Sequence, residues 1–297
     1  MDAPIFIAGA TAAGKSAVAM EVARRIKGEI ISVDSMQVYQ EMDIGTAKPS
    51  RAHRKEIPHH LIDCVSLEET YNAARFAREA EEKIKEIESP IFCGGTGLYF
   101  QAWNEGLGTA PPGNYTIRKE LEGTPKEKQL EELEEKDPET YERIDKNNPR
   151  RIVRALEVIR ITGKSYSQQR AKWKRRAPEN FFLLERGAAE LRARIGVRVE
   201  KMFEKGLVEE TFRLQPQLEK NRTAHQALGY KQVMGHLRGE GDLAGTKELV
   251  KTHTWQFARR QKTWFNKKQG AKKILIEKEE SPKETAKRIL EAKEWTQ

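Results

Sequence analysis

The sequence predicts an α/β fold in which a parallel sheet flanked by helices is interrupted by an all-helical insertion. Three observations carry this: strand and helix patterns alternate at the start, a glycine turn joins the first strand to the first helix, and the middle of the chain loses its strand signals. Ile5-Phe6-Ile7-Ala8 is a short apolar run that enters the turn Gly9 to Gly14, and apolar residues recur at helical spacing from Ala17 to Ile26. Glu29 to Val33 reads as a second strand. A helical pattern from Tyr71 to Ile87 leads to a third strand, Pro90 to Cys93, which ends in Gly94-Gly95. Such alternation is that of parallel βαβ units. The pattern changes near Pro111-Pro112-Gly113, and Tyr115 to Arg176 is highly charged and helical in composition. Phe181-Phe182-Leu183-Leu184 restores the strand signal. Amphipathic helices are expected from Ala188 to Leu214, Thr223 to Leu237 and Lys247 to Asn266, then a strand at Lys273 to Ile276. Ser281-Pro282-Lys283-Glu284 supplies a capping box for a last helix. The expected domains are a core of 1–112 and 181–297, and an insertion of 113–180.

Charge adds a partner class. The chain of 297 residues has a net charge of +9, unevenly placed. Arg143 to Arg176 carries twelve basic and two acidic residues, and Lys251 to Lys273 carries eight basic and none acidic, so the remainder is −9. Clustered cations are the footprint of a polyanion, because each phosphate neutralised releases counterions. Trp173, Trp255 and Trp264 lie within these runs, and aromatic rings among cations stack on unpaired bases. Two solvated helix faces are the plainer alternative to nucleic acid. No apolar run has the roughly 18 to 20 residues of a membrane helix, and Met1-Asp2-Ala3-Pro4 has no signal-peptide character, so no membrane partner and a cytoplasmic location are expected. Cys64 and Cys93 stand far apart, with no pattern for a disulfide framework or a thiolate zinc site.

Chemistry concentrates at the strand ends. Gly9-Ala10-Thr11-Ala12-Ala13-Gly14-Lys15-Ser16 matches the phosphate loop G-x-x-x-x-G-K-[ST] in its required context between strand and helix, which makes the core P-loop NTPase-like. Backbone N–H groups and the helix dipole favour a phosphate there, Lys15 adds a point charge, and the Ser16 hydroxyl is a Mg²⁺ ligand candidate. Asp34 ends the second strand, where ligands of parallel sheets bind. It is a general base or metal ligand by one reading and a turn aspartate by the other. Gly94-Gly95-Thr96 permits close approach of backbone or ligand, and Thr96 offers a hydroxyl. His59-His60 has no third ligand at a recognisable spacing and is read as structural.

Together these segments resemble the bacterial tRNA dimethylallyltransferases, also called tRNA isopentenyltransferases. The resemblance rests on Gly9 to Ser16, Asp34 to Tyr39, Met42 to Pro49, Pro58 to Asp63, Gly94 to Tyr99, Asn148 to Glu157, Gln226 to Lys231, Ala258 to Gln261 and Thr263 to Phe265, in that order along the chain. Gln40-Glu41 departs from the family's Arg-Gly, and Asn266 stands where arginine is frequent.

The resemblance implies transfer of a dimethylallyl group from dimethylallyl diphosphate to N6 of adenosine 37 in tRNAs reading codons that begin with U. It implies a monomer whose helical insertion grips the anticodon stem-loop. Asp34 and Thr96 would be catalytic, with Asp34 the base. Gly9, Thr11, Ala12, Ala13, Gly14, Lys15, Ser16 and Arg198 would bind diphosphate, and Ser16 would hold Mg²⁺. Contacts to tRNA would come from Asp34, Ser35, Met36, Gln37, Thr96, Arg118, Asn147, Asn148, Pro149, Arg150, Arg151, Arg154, Gln226, Gly229, Tyr230, Lys231, Arg259, Arg260, Gln261 and Trp264. Two other classes fit parts of the pattern. A P-loop nucleotide or metabolite kinase would use the loop for ATP, and a non-catalytic RNA-binding protein would hold only an anion there.

Overall fold

Six parallel strands make one sheet in the order β3-β2-β4-β1-β5-β6, where β1 is Ile5–Gly9, β2 Glu29–Val33, β3 His59–His60, β4 Pro90–Gly94, β5 Phe181–Glu185 and β6 Lys272–Leu275. The computed structural model describes residues 2–293. The expected domain ends at Met1 and 294–297 lie outside them. Ile7 pairs with Cys93 of β4 on one side and Phe182 of β5 on the other, so β1 is central.

Both faces of the sheet are covered, which explains why its strands read as continuous apolar runs. Because side chains alternate along a strand, Ile5 and Ile7 point to one face and Phe6 to the other. The first face packs Val18, Ala19 and Val22 of the helix Lys15–Ile26 and Ile289 of the helix Pro282–Glu291. On the second, Phe6 stacks on Phe92 at 5.0 Å and meets Trp103 at 5.3 Å. Each such ring removed from water contributes on the order of 1.5 to 3 kcal/mol. The expected capping box at Ser281 is present, with its hydroxyl accepting from the Glu284 N–H.

The chain divides into two compact units, one of residues 2–104 and 175–293 and one of Glu105–Lys174. The insertion was expected at 113–180. Its legs explain the shift: Thr109 N–H donates to the Gln169 carbonyl at 3.0 Å and Trp173 Nε1 to the Gly106 carbonyl at 2.7 Å, so 105–112 belongs with the helices. Ala177 N–H donates to the Gln269 carbonyl at 2.8 Å, which keeps 175–180 with the sheet.

Other expectations are also corrected. The two-residue strand β3 was not foreseen, because so short a run has no period. The helix expected over Ala188 to Leu214 is two, Ala188–Glu204 and Leu207–Lys220, broken where Gly206 takes φ 94°. The one expected over Thr223 to Leu237 is a turn at Ala224–Gln226 and a helix at Tyr230–Leu237. The helical unit has its own core of Leu121, Leu133, Ile152, Val153, Leu156 and Ile159.

Candidate active site

The phosphate loop forms as its residues require. β1 ends at Gly9, and Gly14 caps the following helix with φ 104°, a conformation that strains any residue bearing a Cβ. Three cations bond the loop's carbonyls: Lys15 Nζ donates to that of Ala10 at 2.7 Å, Arg194 Nε to that of Ala12 at 2.9 Å and Arg186 Nε to that of Ala13 at 3.0 Å. With those acceptors engaged, the N–H groups of Lys15 and Ser16 remain as donors that the first helical turn leaves without intrahelical partners. Ala13 donates its N–H to the Ala10 carbonyl at 3.2 Å, and a second expected diphosphate ligand, Thr11, is also engaged. Its N–H donates to Gln261 Oε1 at 2.8 Å and is not available to a phosphate.

Burial pulls the Lys15 ammonium down to about 8; Arg198 lowers it further, while Cys93 and Asp34 raise it. Burial likewise lowers Arg198, and Asp34 pulls it back. Lys15, Arg198 and Asp34 therefore share one electrostatic neighbourhood. The spacing of four puts Arg194 and Arg198 on one helix face; Arg194 bonds the loop at Ala12, and Arg198 is near enough to Lys15 to lower it. Sequence reasoning missed Arg186, whose signal was its place just after β5, at the carboxyl edge of a parallel sheet.

Asp34 follows β2, which β4 separates from β1, at the same carboxyl edge of the sheet. Its Oδ1 accepts the N–H of Met36 at 2.9 Å and of Gln37 at 3.3 Å. The turn reading is thus correct, yet the bonds fix the carboxylate and leave Oδ2 to a ligand. Thr96 joins this segment to the turn after β4: its Oγ1 accepts the Ser35 N–H at 3.1 Å, and its own N–H donates to the Val33 carbonyl at 3.1 Å. Gln37 is also engaged, accepting from Ser32 Oγ at 3.0 Å and donating to the Thr46 carbonyl at 3.1 Å.

Several residues assigned to tRNA by resemblance hold the protein itself together. Tyr230 is completely buried and donates its hydroxyl to Glu210 at 2.6 Å, so it has no surface for RNA. The same Glu210 carboxylate accepts the N–H groups of Asp43, Ile44 and Gly45 at 3.0 to 3.3 Å, clamping the chain that follows Gln37. Gly229 is buried and donates its N–H to Gln232 Oε1 at 2.9 Å, while Gln226 accepts from Lys231 at 2.9 Å. Gln261 is buried between the phosphate loop and the Gly95 carbonyl. Trp264 is half-buried against Gly97, where an added Cβ would fall 2.1 Å from its ring.

In the helical unit Asn148 caps the helix Pro149–Thr162 through the Arg151 N–H. Arg118 and Arg154 both pair with Glu157, which is wholly buried, at 2.8 and 2.7 Å. Burial would raise the Glu157 carboxyl, but these arginines and the Asn114 N–H outweigh it and hold it below the ordinary value. Arg118 and Arg154 are thus tied to the unit's own fold. Asn147, Pro149, Arg150 and Arg151 are exposed there, as are Arg259, Arg260 and Lys231 on the sheet unit.

Among the described residues no three His, Cys, Asp or Glu side chains are grouped so as to hold a metal, and no helix is long and apolar enough to cross a membrane. Cys64 is exposed and Cys93 buried, and both are free thiols.

The profile of the IPP transferase family matches residues 37–268. The chain belongs to that family. A tRNA dimethylallyltransferase of Carboxydothermus hydrogenoformans is 42% identical over 97% of this chain and 96% of its own, and one of Acetivibrio thermocellus is 41% identical over 90% of each. Among solved structures, the tRNA isopentenylpyrophosphate transferase of Staphylococcus epidermidis covers 97% of both chains at 33% identity with a TM-score of 0.68. A eukaryotic dimethylallyltransferase acting on tRNA covers 92% of this chain and 73% of its own at 29% identity, with a TM-score of 0.75. Family membership sets aside the kinase and the non-catalytic RNA-binding protein: the chain is an enzyme of the tRNA dimethylallyltransferase family, with the P-loop-like sheet of its relatives.

Proposed function

We propose that this chain transfers the dimethylallyl group of dimethylallyl diphosphate to N6 of adenosine 37 in tRNAs reading codons that begin with U, with Asp34 as base. One observation carries the assignment of roles. The cationic phosphate loop after β1 and the fixed Asp34 carboxylate after β2 stand at the same carboxyl edge of the sheet, on either side of the turn after β4, with Lys15 and Arg198 in the field of Asp34. The amine of adenine is a poor nucleophile because its lone pair is delocalised into the ring. It forms its bond to C1 of the prenyl group as the C1–O bond breaks, diphosphate departs, and the N6 proton passes to Asp34 Oδ2. Lys15, Arg198 and the N–H groups at the helix start stabilise the charge that develops on the leaving diphosphate. Thr96 positions Ser35 and thereby the Asp34 turn. A stacked base cannot reach such a site, so adenosine 37 is flipped out of the anticodon loop.

Mg²⁺ suits this donor set. Ser16 offers an exposed hydroxyl at the first turn of the helix, and an ion that keeps most of its ligands as water and phosphate oxygen needs little more from the protein. When bound it would offset charge on the diphosphate. Arg150 and Arg151 of the helical unit, with Arg259 and Arg260 of the sheet unit, are the cations on which tRNA binding would rest. The chain is read as a monomer. Donor choice tests the proposal: purified protein given unmodified tRNA, Mg²⁺ and labelled dimethylallyl diphosphate places label in tRNA, whereas ATP labelled at its terminal phosphate does not. Label from ATP alone would reject it.

A further inference from the structure

We infer that Gln261 is a positioning residue that sets the spacing between the donor half and the acceptor half of the active site. Its single amide serves both halves. Oε1 accepts the Thr11 N–H of the phosphate loop at 2.8 Å, and Nε2 donates to the Gly95 carbonyl, just before Thr96, at 2.9 Å. The contact is close: a Cβ at position 95 would lie 2.2 Å from Gln261 Nε2, so only glycine admits this approach. One turn along the same helix, Trp264 packs on Gly97 and locks the helix to the same acceptor turn. Gln261 is 7% exposed, so its amide faces protein and not solvent.

The bridge has a consequence for the reaction, resting on the prenyl-transfer reading above. The donor carbon and the acceptor nitrogen must meet at near-bonding distance, and the elements that hold them are not adjacent in sequence. Thr96 fixes Ser35 and the Asp34 turn on the acceptor side, while the phosphate loop fixes the diphosphate. Gln261 links the two directly. Loss of the link leaves each half able to bind its own substrate and misplaces one against the other, and a displacement of about 1 Å costs on the order of 10²-fold in rate.

The experiment compares wild type, Gln261→Leu and Gln261→Glu. Gln261→Leu is expected to lower kcat about 10²-fold with KM for tRNA and for dimethylallyl diphosphate each within about threefold. Amide exchange at Thr11 should quicken about tenfold in the leucine variant. Gln261→Glu retains the acceptor for Thr11 and loses only the donor to Gly95, so Thr11 stays protected while kcat still falls. Turnover within about twofold of wild type would overturn the inference. So would a loss confined to KM for tRNA, which would make Gln261 an RNA contact, or failure of both variants to fold. A wild-type protein that labels no tRNA would reject the prenyl reading instead, and the exchange result would still report on the bridge.

Discussion

Replacing Asp34 with alanine is expected to lower single-turnover prenyl transfer by about 10² to 10⁴ while tRNA affinity stays within about threefold. The range follows from the role. A general base supplies only part of the acceleration, and the loop, Lys15 and Arg198 continue to hold the donor and stabilise its leaving group. Alanine also removes the acceptor for the Met36 and Gln37 N–H groups, which could disturb the turn. Asp34→Asn separates the two effects, because its amide oxygen accepts the same N–H groups but cannot take the N6 proton. Equal losses in both variants place the effect on proton transfer. An asparagine enzyme with wild-type turnover would remove Asp34 from the chemistry and leave it as a turn residue.

Lys15 carries the second large effect, in both magnitude and pH dependence. Lys15→Met is expected to lower turnover about 10² to 10³-fold, the usual cost of losing one preorganised donor to developing negative charge. With its folded pKa lowered to about 8, chiefly by burial, Lys15 loses its proton in the free protein as pH rises through 8. A bound diphosphate favours the charged form, so binding above pH 8 takes up a proton and apparent affinity falls, by up to roughly tenfold per pH unit. Stability has the opposite sign. Between pH 8 and the ordinary value of 10.5 the unfolded chain holds this proton and the folded one does not, so this group makes unfolding less favourable as pH rises through that window. Calorimetric titration of dimethylallyl diphosphate in buffers of different ionisation enthalpy checks the uptake. Lys15→Arg retains its charge to higher pH and should flatten the profile; an equally steep profile in that variant would assign the proton to another group.

The parts of the site legible in the sequence were those written in local chemistry. Gly9 to Ser16 requires a glycine turn between strand and helix, and Asp34 and Thr96 each follow an apolar strand, so their shared edge of a parallel sheet followed from the alternation. What escaped depends on long-range pairing. Glu210 reaches back to the N–H groups of Asp43, Ile44 and Gly45, and nothing near Glu210 announces it. Tyr230 consequently read as an RNA contact, although its ring is buried on that clamp. Gln261 was misleading for the same reason, since its partners, Thr11 and Gly95, lie far away in the chain. Arg154 could have been read better. Glu157, three residues on, is one of two acids in a strongly basic run, and that helical spacing already announces a pair. Counting charge along the chain located the cations correctly but could not separate those that face solvent, such as Arg150 and Arg151, from those held by Glu157.

In the proposed reaction the phosphate loop delivers a prenyl diphosphate to an adenine amine held by the turn of Asp34 and Thr96. Its most direct test is the identity of the product. Unmodified tRNA reading a codon that begins with U, incubated with the protein, Mg²⁺ and dimethylallyl diphosphate, is digested and its nucleosides are separated by mass and position. The expected product is N6-(dimethylallyl)adenosine at position 37 and nowhere else, formed with release of one diphosphate. A prenyl group on another nucleotide, or tRNA recovered unchanged while the protein binds both substrates, would contradict it.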